Sequence, residues 1–110
     1  MHVEDLADLI EDQLERPEHW ADATVNVGGG RPSSLSLRET TELCQDITGN
    51  SIEVEESSES RPGDVRIYLS DCARLGGLTD WRPRRDPRTV LEDVFEWVAD
   101  NERDVLAALG

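Results

Sequence analysis

Apolar residues at helical spacing occupy both ends of this chain, and glycine, proline and asparagine cut everything between them into short pieces. Near the start, Leu6, Leu9, Ile10 and Leu14, with Val3 and Ala7, recur every three to four residues, while Glu4, Asp5, Asp8, Glu11, Asp12 and Glu15 mostly take the other side. That spacing predicts an amphipathic helix stopped near Pro17. At the far end, Asp86-Pro87 supplies an N-cap and a proline at the first helical position. Val90, Leu91, Val94, Phe95, Val98, Val105, Leu106 and Leu109 then form a long apolar stripe, with a break expected around Asn101.

The middle is more finely divided. Thr24 to Val27 reads as a short β-branched strand running into Gly28-Gly29-Gly30. Ser36 caps the next helix, Glu39 three residues on completes a capping box, and Gly49 ends it. Leu37, Leu43, Cys44 and Ile47 mark its expected buried face. Ile52 to Glu55 and Val65 to Leu69 alternate as strands, a short helix follows Ser70-Asp71 and ends near Gly76-Gly77, and Trp81-Arg82-Pro83 is a turn. The expectation is an α/β (α+β) domain, residues 1–110, with about four helices and three short strands. At 110 residues one domain with a modest core is the sensible prior.

Twenty-five acids against eleven basic residues, all arginine, give a net charge of −14. A phosphate backbone or an anionic membrane needs a basic face, so neither nucleic acid nor membrane is an expected partner. An acidic surface without lysine suits a high-salt cytoplasm, where screening relieves self-repulsion, so a halophilic source is the expectation; the bland rival is a GC-rich genome with an acidic protein. No apolar run approaches 18 residues and no basic leader is visible. Cys44 and Cys72 are isolated, without a C-x-x-C, and read as reduced thiols, which fits a cytoplasmic location.

Candidate chemistry gathers at two places. Arg61-Pro62-Gly63-Asp64 sets a guanidinium and a carboxylate around a Pro-Gly turn. Arginine grips phosphate oxygens and aspartate accepts ribose hydroxyls, so the turn reads as half of a site for a phosphorylated sugar; the rival reading is a solvated turn capped by Asp64. Asn26 either ends a turn or holds the strand end near a substrate. The three glycines read either as a phosphate cradle or as a tight backbone crossing, the second favoured because no helix follows directly. His2 is expected at a helix start rather than on a metal, and no catalytic constellation is evident.

In order and spacing, His2-Val3-Glu4-Asp5-Leu6, Asn26-Val27-Gly28-Gly29-Gly30, Ser36-Leu37-Arg38-Glu39, Arg61-Pro62-Gly63-Asp64, Ser70-Asp71, Trp81-Arg82-Pro83 and Glu96-Trp97-Val98 resemble the C-terminal, substrate-side part of the extended short-chain dehydrogenase/reductases. These are the NAD-dependent nucleotide-sugar epimerases and dehydratases, and the resemblance is greatest to the CDP-paratose/tyvelose epimerases. One departure is Asp80, where the family has glycine. The resemblance implies substrate contacts at Arg61, Asp64 and Asn26, with Arg61 at phosphates and Asp64 at ribose. It also implies NAD in the intact family, held by a glycine-rich fingerprint and a Tyr-x-x-x-Lys pair. This chain has no G-x-G-x-x-G, no lysine, and Tyr68 as its one tyrosine. The expectation is therefore a truncated, stand-alone remnant, non-catalytic alone and without cofactor, keeping a nucleotide-diphosphate-sugar surface. The alternative is a subunit of a split epimerase completed by a Rossmann-type chain. Removal of the cofactor domain is expected to uncover the first helix and the Thr24–Val27 edge, giving a homodimer or a complex with such a chain.

Overall fold

The computed structural model describes residues 1–55 and 62–110. Six α-helices occur there: α1 (Val3–Glu15), α2 (Pro17–Trp20), α3 (Leu37–Thr48), α4 (Ala73–Leu78), α5 (Pro87–Asp100) and α6 (Glu102–Leu109). A three-residue 3-10 turn, Arg31–Ser33, sits between α2 and α3.

Local chemistry sets the helix ends. His2 caps α1, its Nδ1 accepting the Glu4 amide at 3.1 Å. Pro17 starts α2 one residue after α1 stops, because proline lacks the N–H that continuing α1 would need. Ser36 and Glu39 form the reciprocal capping box of α3, and Gly49 closes it at φ 72°, a left-handed conformation that glycine adopts without a Cβ clash. Asp86 accepts the Thr89 amide at 2.9 Å to start α5, and Asn101 separates α5 from α6.

Three tethers join these pieces. α3 packs on α5, where Arg88 is paired with both Asp46 and Glu92. His2 Nε2 meets Asp93 Oδ2 at 2.8 Å, linking the start of α1 to α5. The inner face of α1, carrying Asp5, Leu9 and Asp12, lies on the Thr79–Arg85 segment: Thr79 donates to Asp12 Oδ2 at 3.1 Å, and the Arg84 and Arg85 amides donate to Asp5.

Among the described residues no strand forms, which corrects the expected three. Thr24–Val27, Ile52–Glu55 and Val65–Leu69 lack a paired ladder. A strand exists only through main-chain bonds to a neighbour. Where the first of these runs meets the chain after the third, the contacts come instead from the Asn26 side-chain amide to Asp71 O (3.3 Å) and the Cys72 thiol to Gly28 O (3.6 Å). Val65, Ile67 and Tyr68 stand exposed. The expected buried face of α3 is also only partly realised: Leu43, Cys44 and Ile47 are half-buried, and Leu37 is exposed. α4 runs through both glycines to Leu78.

The core is small. Leu9 and Leu75 are the buried hydrophobic residues, 1% and 2% exposed, among those described. The radius of gyration is 17.7 Å, against about 13 Å for a compact domain of this length. The accessible surface is 9145 Å², against about 6,100 Å² for a compact monomer of this mass. Much apolar surface thus faces outward, including the stripes of α1 and of the second half of α5. No described helix is long and apolar enough to cross a membrane.

Candidate functional site

The glycine run turns the chain after Asn26, and close packing explains why glycine stands there. A Cβ on Gly28 would lie 2.6 Å from Ser70 Oγ, and one on Gly29 would lie 2.3 Å from Ser33 Cβ. Gly30 adopts φ 59°, which side chains rarely take. The run then enters the three-residue 3-10 turn, so no α-helix follows it directly. These glycines form a backbone crossing and do not fit the pyrophosphate of a dinucleotide, which needs a helix start behind the glycines.

Beside the crossing lies a cleft of about 300 Å³, walled by Gly28–Gly30, Pro32, Ser33, Cys72, Leu75, Trp81, Arg82 and Pro83. Its guanidinium is already engaged: Arg82 Nη1 donates to Trp81 O at 2.6 Å and to Thr79 O at 3.2 Å. A Cβ on Gly76 would come within 3.1 Å of Arg82 Nη2. Arg82 is therefore a brace of its own loop.

The three sequence-derived substrate residues have different fates. Arg61 lies outside the described residues. Asp64 stands exposed just after Pro62-Gly63, where Gly63 takes φ 91°. Asn26 spends its amide on Asp71 O, and Asp71 in turn accepts the Ala73 amide at 2.9 Å, orienting the start of α4. Neither Asn26 nor Asp64 lines the cleft. Asn26 thus holds together the two segments that end at the glycine crossing and at Ser70-Asp71. Cys44 and Cys72 are free thiols, and the described residues hold no cluster of metal-ligating groups.

One residue escaped the reading of the sequence. Asp5 is fully buried and accepts three hydrogen bonds: from the Arg84 amide (3.2 Å), the Arg85 amide (3.3 Å) and Arg85 Nη1 (2.8 Å). Burial alone would raise its carboxyl; the Arg84 amide, then the Arg85 guanidinium and amide, more than reverse this and hold it below the ordinary aspartate value. Arg85 is also paired with Glu4 and lies 3.8 Å from Asp8. The His-Val-Glu-Asp-Leu motif and the two arginines that follow Trp81-Arg82-Pro83, Arg85 being 80 residues from Asp5, are thereby two sides of one contact. A signal existed: Asp5 shares a helix face with Leu9 four residues on, the one acid of the first turn placed on that side.

Comparison with known proteins gives the same relationship as the motifs. The chain is 30% identical over 101 residues to a dTDP-glucose 4,6-dehydratase of Streptomyces antibioticus, an alignment covering 92% of this chain and 29% of that protein. It is 23% identical over 99 residues to a CDP-paratose 2-epimerase of Salmonella typhi, covering 90% of this chain and 29% of the other. It is 27% identical over 100 residues to a UDP-glucose 4-epimerase of Corynebacterium glutamicum, covering 90% and 30%. The matched portions are the C-terminal parts of these proteins, so the chain spans about three tenths of the length of the relatives it matches. No family model and no solved structure matches.

Proposed function

We propose, for a chain related along nine tenths of its length to the C-terminal part of nucleotide-sugar epimerases and dehydratases, that it is a non-catalytic binding module retaining a nucleotide-diphosphate-sugar surface. The observation that carries the reading is the alignment itself, together with the retained Arg61-Pro62-Gly63-Asp64 turn. Arg61 takes the diphosphate through its planar fork of donors, Asp64 takes ribose hydroxyls, and Asn26 holds the Asp71 segment. Asp64 is open to solvent, as a ligand contact requires before binding.

Catalysis by the 110 residues alone is not part of this proposal. A lysine to lower the pKa of a catalytic tyrosine is missing from the sequence, and Tyr68 has Cys72 where a Tyr-x-x-x-Lys pair would have its lysine. Calorimetric titration of the chain at high salt with UDP-, dTDP- and CDP-sugars tests the binding reading. Weak binding of at least one, lost in Arg61→Ala by the about 1.5–3 kcal/mol of a charge-assisted hydrogen bond, is the expected result. Equal affinity of wild type and variant would reduce the turn to a solvated loop.

A second reading is favoured by the size of the uncovered apolar surface. In it the chain is a subunit of a split epimerase, and a Rossmann-type chain supplies NAD, the tyrosine and the lysine. Turnover of a nucleotide sugar by a reconstituted pair, absent from either chain alone, separates this reading from the first.

A further inference from the structure

The outer face of α1 presents a continuous apolar ridge beside a ladder of acids. Val3, Leu6, Ile10 and Leu14 are 74%, 38%, 47% and 76% exposed. They lie about 125° around the helix from the buried Asp5 and Leu9, with Leu6 nearest Leu9, and run about 16 Å along the axis at 1.5 Å per residue. Four apolar positions are each followed by an acid: Val3-Glu4, Ala7-Asp8, Ile10-Glu11 and Leu14-Glu15. One residue is 100° of rotation, so the acids form a row along one edge of the ridge. That edge opens into a trough of about 420 Å³ holding five carboxylates, Asp8, Glu11, Asp12, Glu15 and Asp80, against the guanidiniums of Arg16 and Arg84. Arg16 is taken by Asp12. Among the described residues no cation is paired with Glu11, Glu15 or Asp80.

We propose that this face docks a basic amphipathic helix of another protein, its apolar stripe laid along Val3, Leu6, Ile10 and Leu14 and its arginines or lysines over Glu11, Glu15 and Asp80. Charge decides between this occupant and a second copy of the chain. α1 itself contains no basic residue, so a twofold antiparallel pairing of two α1 helices sets acid row against acid row. A parallel pairing sets the row against Leu6 and Gln13, and in neither arrangement does α1 of the second copy bring a cation. Each copy also carries −14. A cationic flank neutralises the row and speeds encounter, while the shared apolar ridge supplies the contact area. The inference is independent of the nucleotide-sugar reading, since it uses none of Arg61, Asp64 or Asn26.

The test uses two synthetic 16-residue helices with the same leucine stripe, one flanked by arginine and one by glutamate, labelled and titrated with the full chain at 0.15 M salt by fluorescence anisotropy. The arginine-flanked helix is expected to bind at least about tenfold more tightly. Val3→Ser/Leu14→Ser, at exposed positions that leave charge and fold unchanged, is expected to weaken it about tenfold or more, and Glu11→Gln/Glu15→Gln to weaken it and flatten its salt dependence. Equal binding of the two helices overturns the proposal. So does binding that survives Val3→Ser/Leu14→Ser, which is mere attraction to an acidic chain. Sedimentation showing a dimer that the same double variant dissolves assigns the face to a second copy instead. Nucleotide-sugar titrations of these variants keep failure here distinct from failure of the binding-module reading.

Discussion

Replacing Asp5 by asparagine tests the contact on which α1 and the Thr79–Arg85 segment depend. The native carboxylate gives one oxygen to the Arg84 amide and the other to the Arg85 amide, with Arg85 Nη1 on the first. Asparagine keeps one acceptor oxygen and turns an NH₂ toward the remaining donor. One buried N–H is then orphaned, at about 1–3 kcal/mol, and the charge-assisted bond to Arg85 becomes a neutral one or is lost, for a total loss of about 2–4 kcal/mol. A domain of this size holds about 5–15 kcal/mol at best, and a core with two buried leucines among the described residues puts this one at the low end. Thermal unfolding followed by circular dichroism is expected to fall by about 8–16 °C. Glu4→Gln is the control: Glu4 touches the same Arg85 from an exposed position, so its loss is worth about 0–1 kcal/mol. The pH dependence follows from the lowered carboxyl of Asp5. Between its folded value and the unfolded value near 4, the unfolded chain binds more protons, so stability rises with pH across that window. The stabilisation is complete above pH 4 and is lost as pH falls through the folded value; Asp5→Asn flattens that part of the profile. A loss below about 0.5 kcal/mol in Asp5→Asn, or an equal loss in Glu4→Gln, refutes the reasoning.

Other outcomes follow from the same structure. Ser36→Ala removes the acceptor for the Glu39 amide and half of the capping box, and is expected to lower stability by about 0.5–2 kcal/mol in denaturant titration. Gly28→Ala places a Cβ against the Ser70 side chain and is expected to lower stability by about 1–3 kcal/mol, with Ser70→Gly restoring most of it in a double-mutant cycle. Melting temperature is expected to climb markedly from low to molar salt, because screening relieves repulsion among 25 acids; a flat profile refutes this.

Helix limits were legible because their causes are local. The Ser36–Glu39 capping box, Gly49, Asp86-Pro87, the Pro17 stop and the Asn101 break each act within four residues, and each lies in the structure where the sequence places it. The glycine run was legible as a crossing for the same reason: no helix follows it. Family relationship was legible too, since the motifs keep their order whatever they pack against.

Other properties depend on groups far apart in the chain. Alternating apolar residues at Val65–Leu69 announce a strand, but a strand needs a main-chain partner, and the neighbouring segment meets its end through the Asn26 amide and the Cys72 thiol instead. Periodicity marks α1 as two-faced without saying which face is covered, and the structure buries the side with Asp5 and Leu9 while Leu14 faces outward. A burial that puts a carboxylate inside and leucines outside is decided by donors 80 residues away, two main-chain amides and a guanidinium that only the tertiary fold brings to Asp5. Sequence determines which segments are helical and where they stop; tertiary structure alone decides which side of each helix meets a partner, because that energy belongs to pairs of distant groups and not to either group by itself.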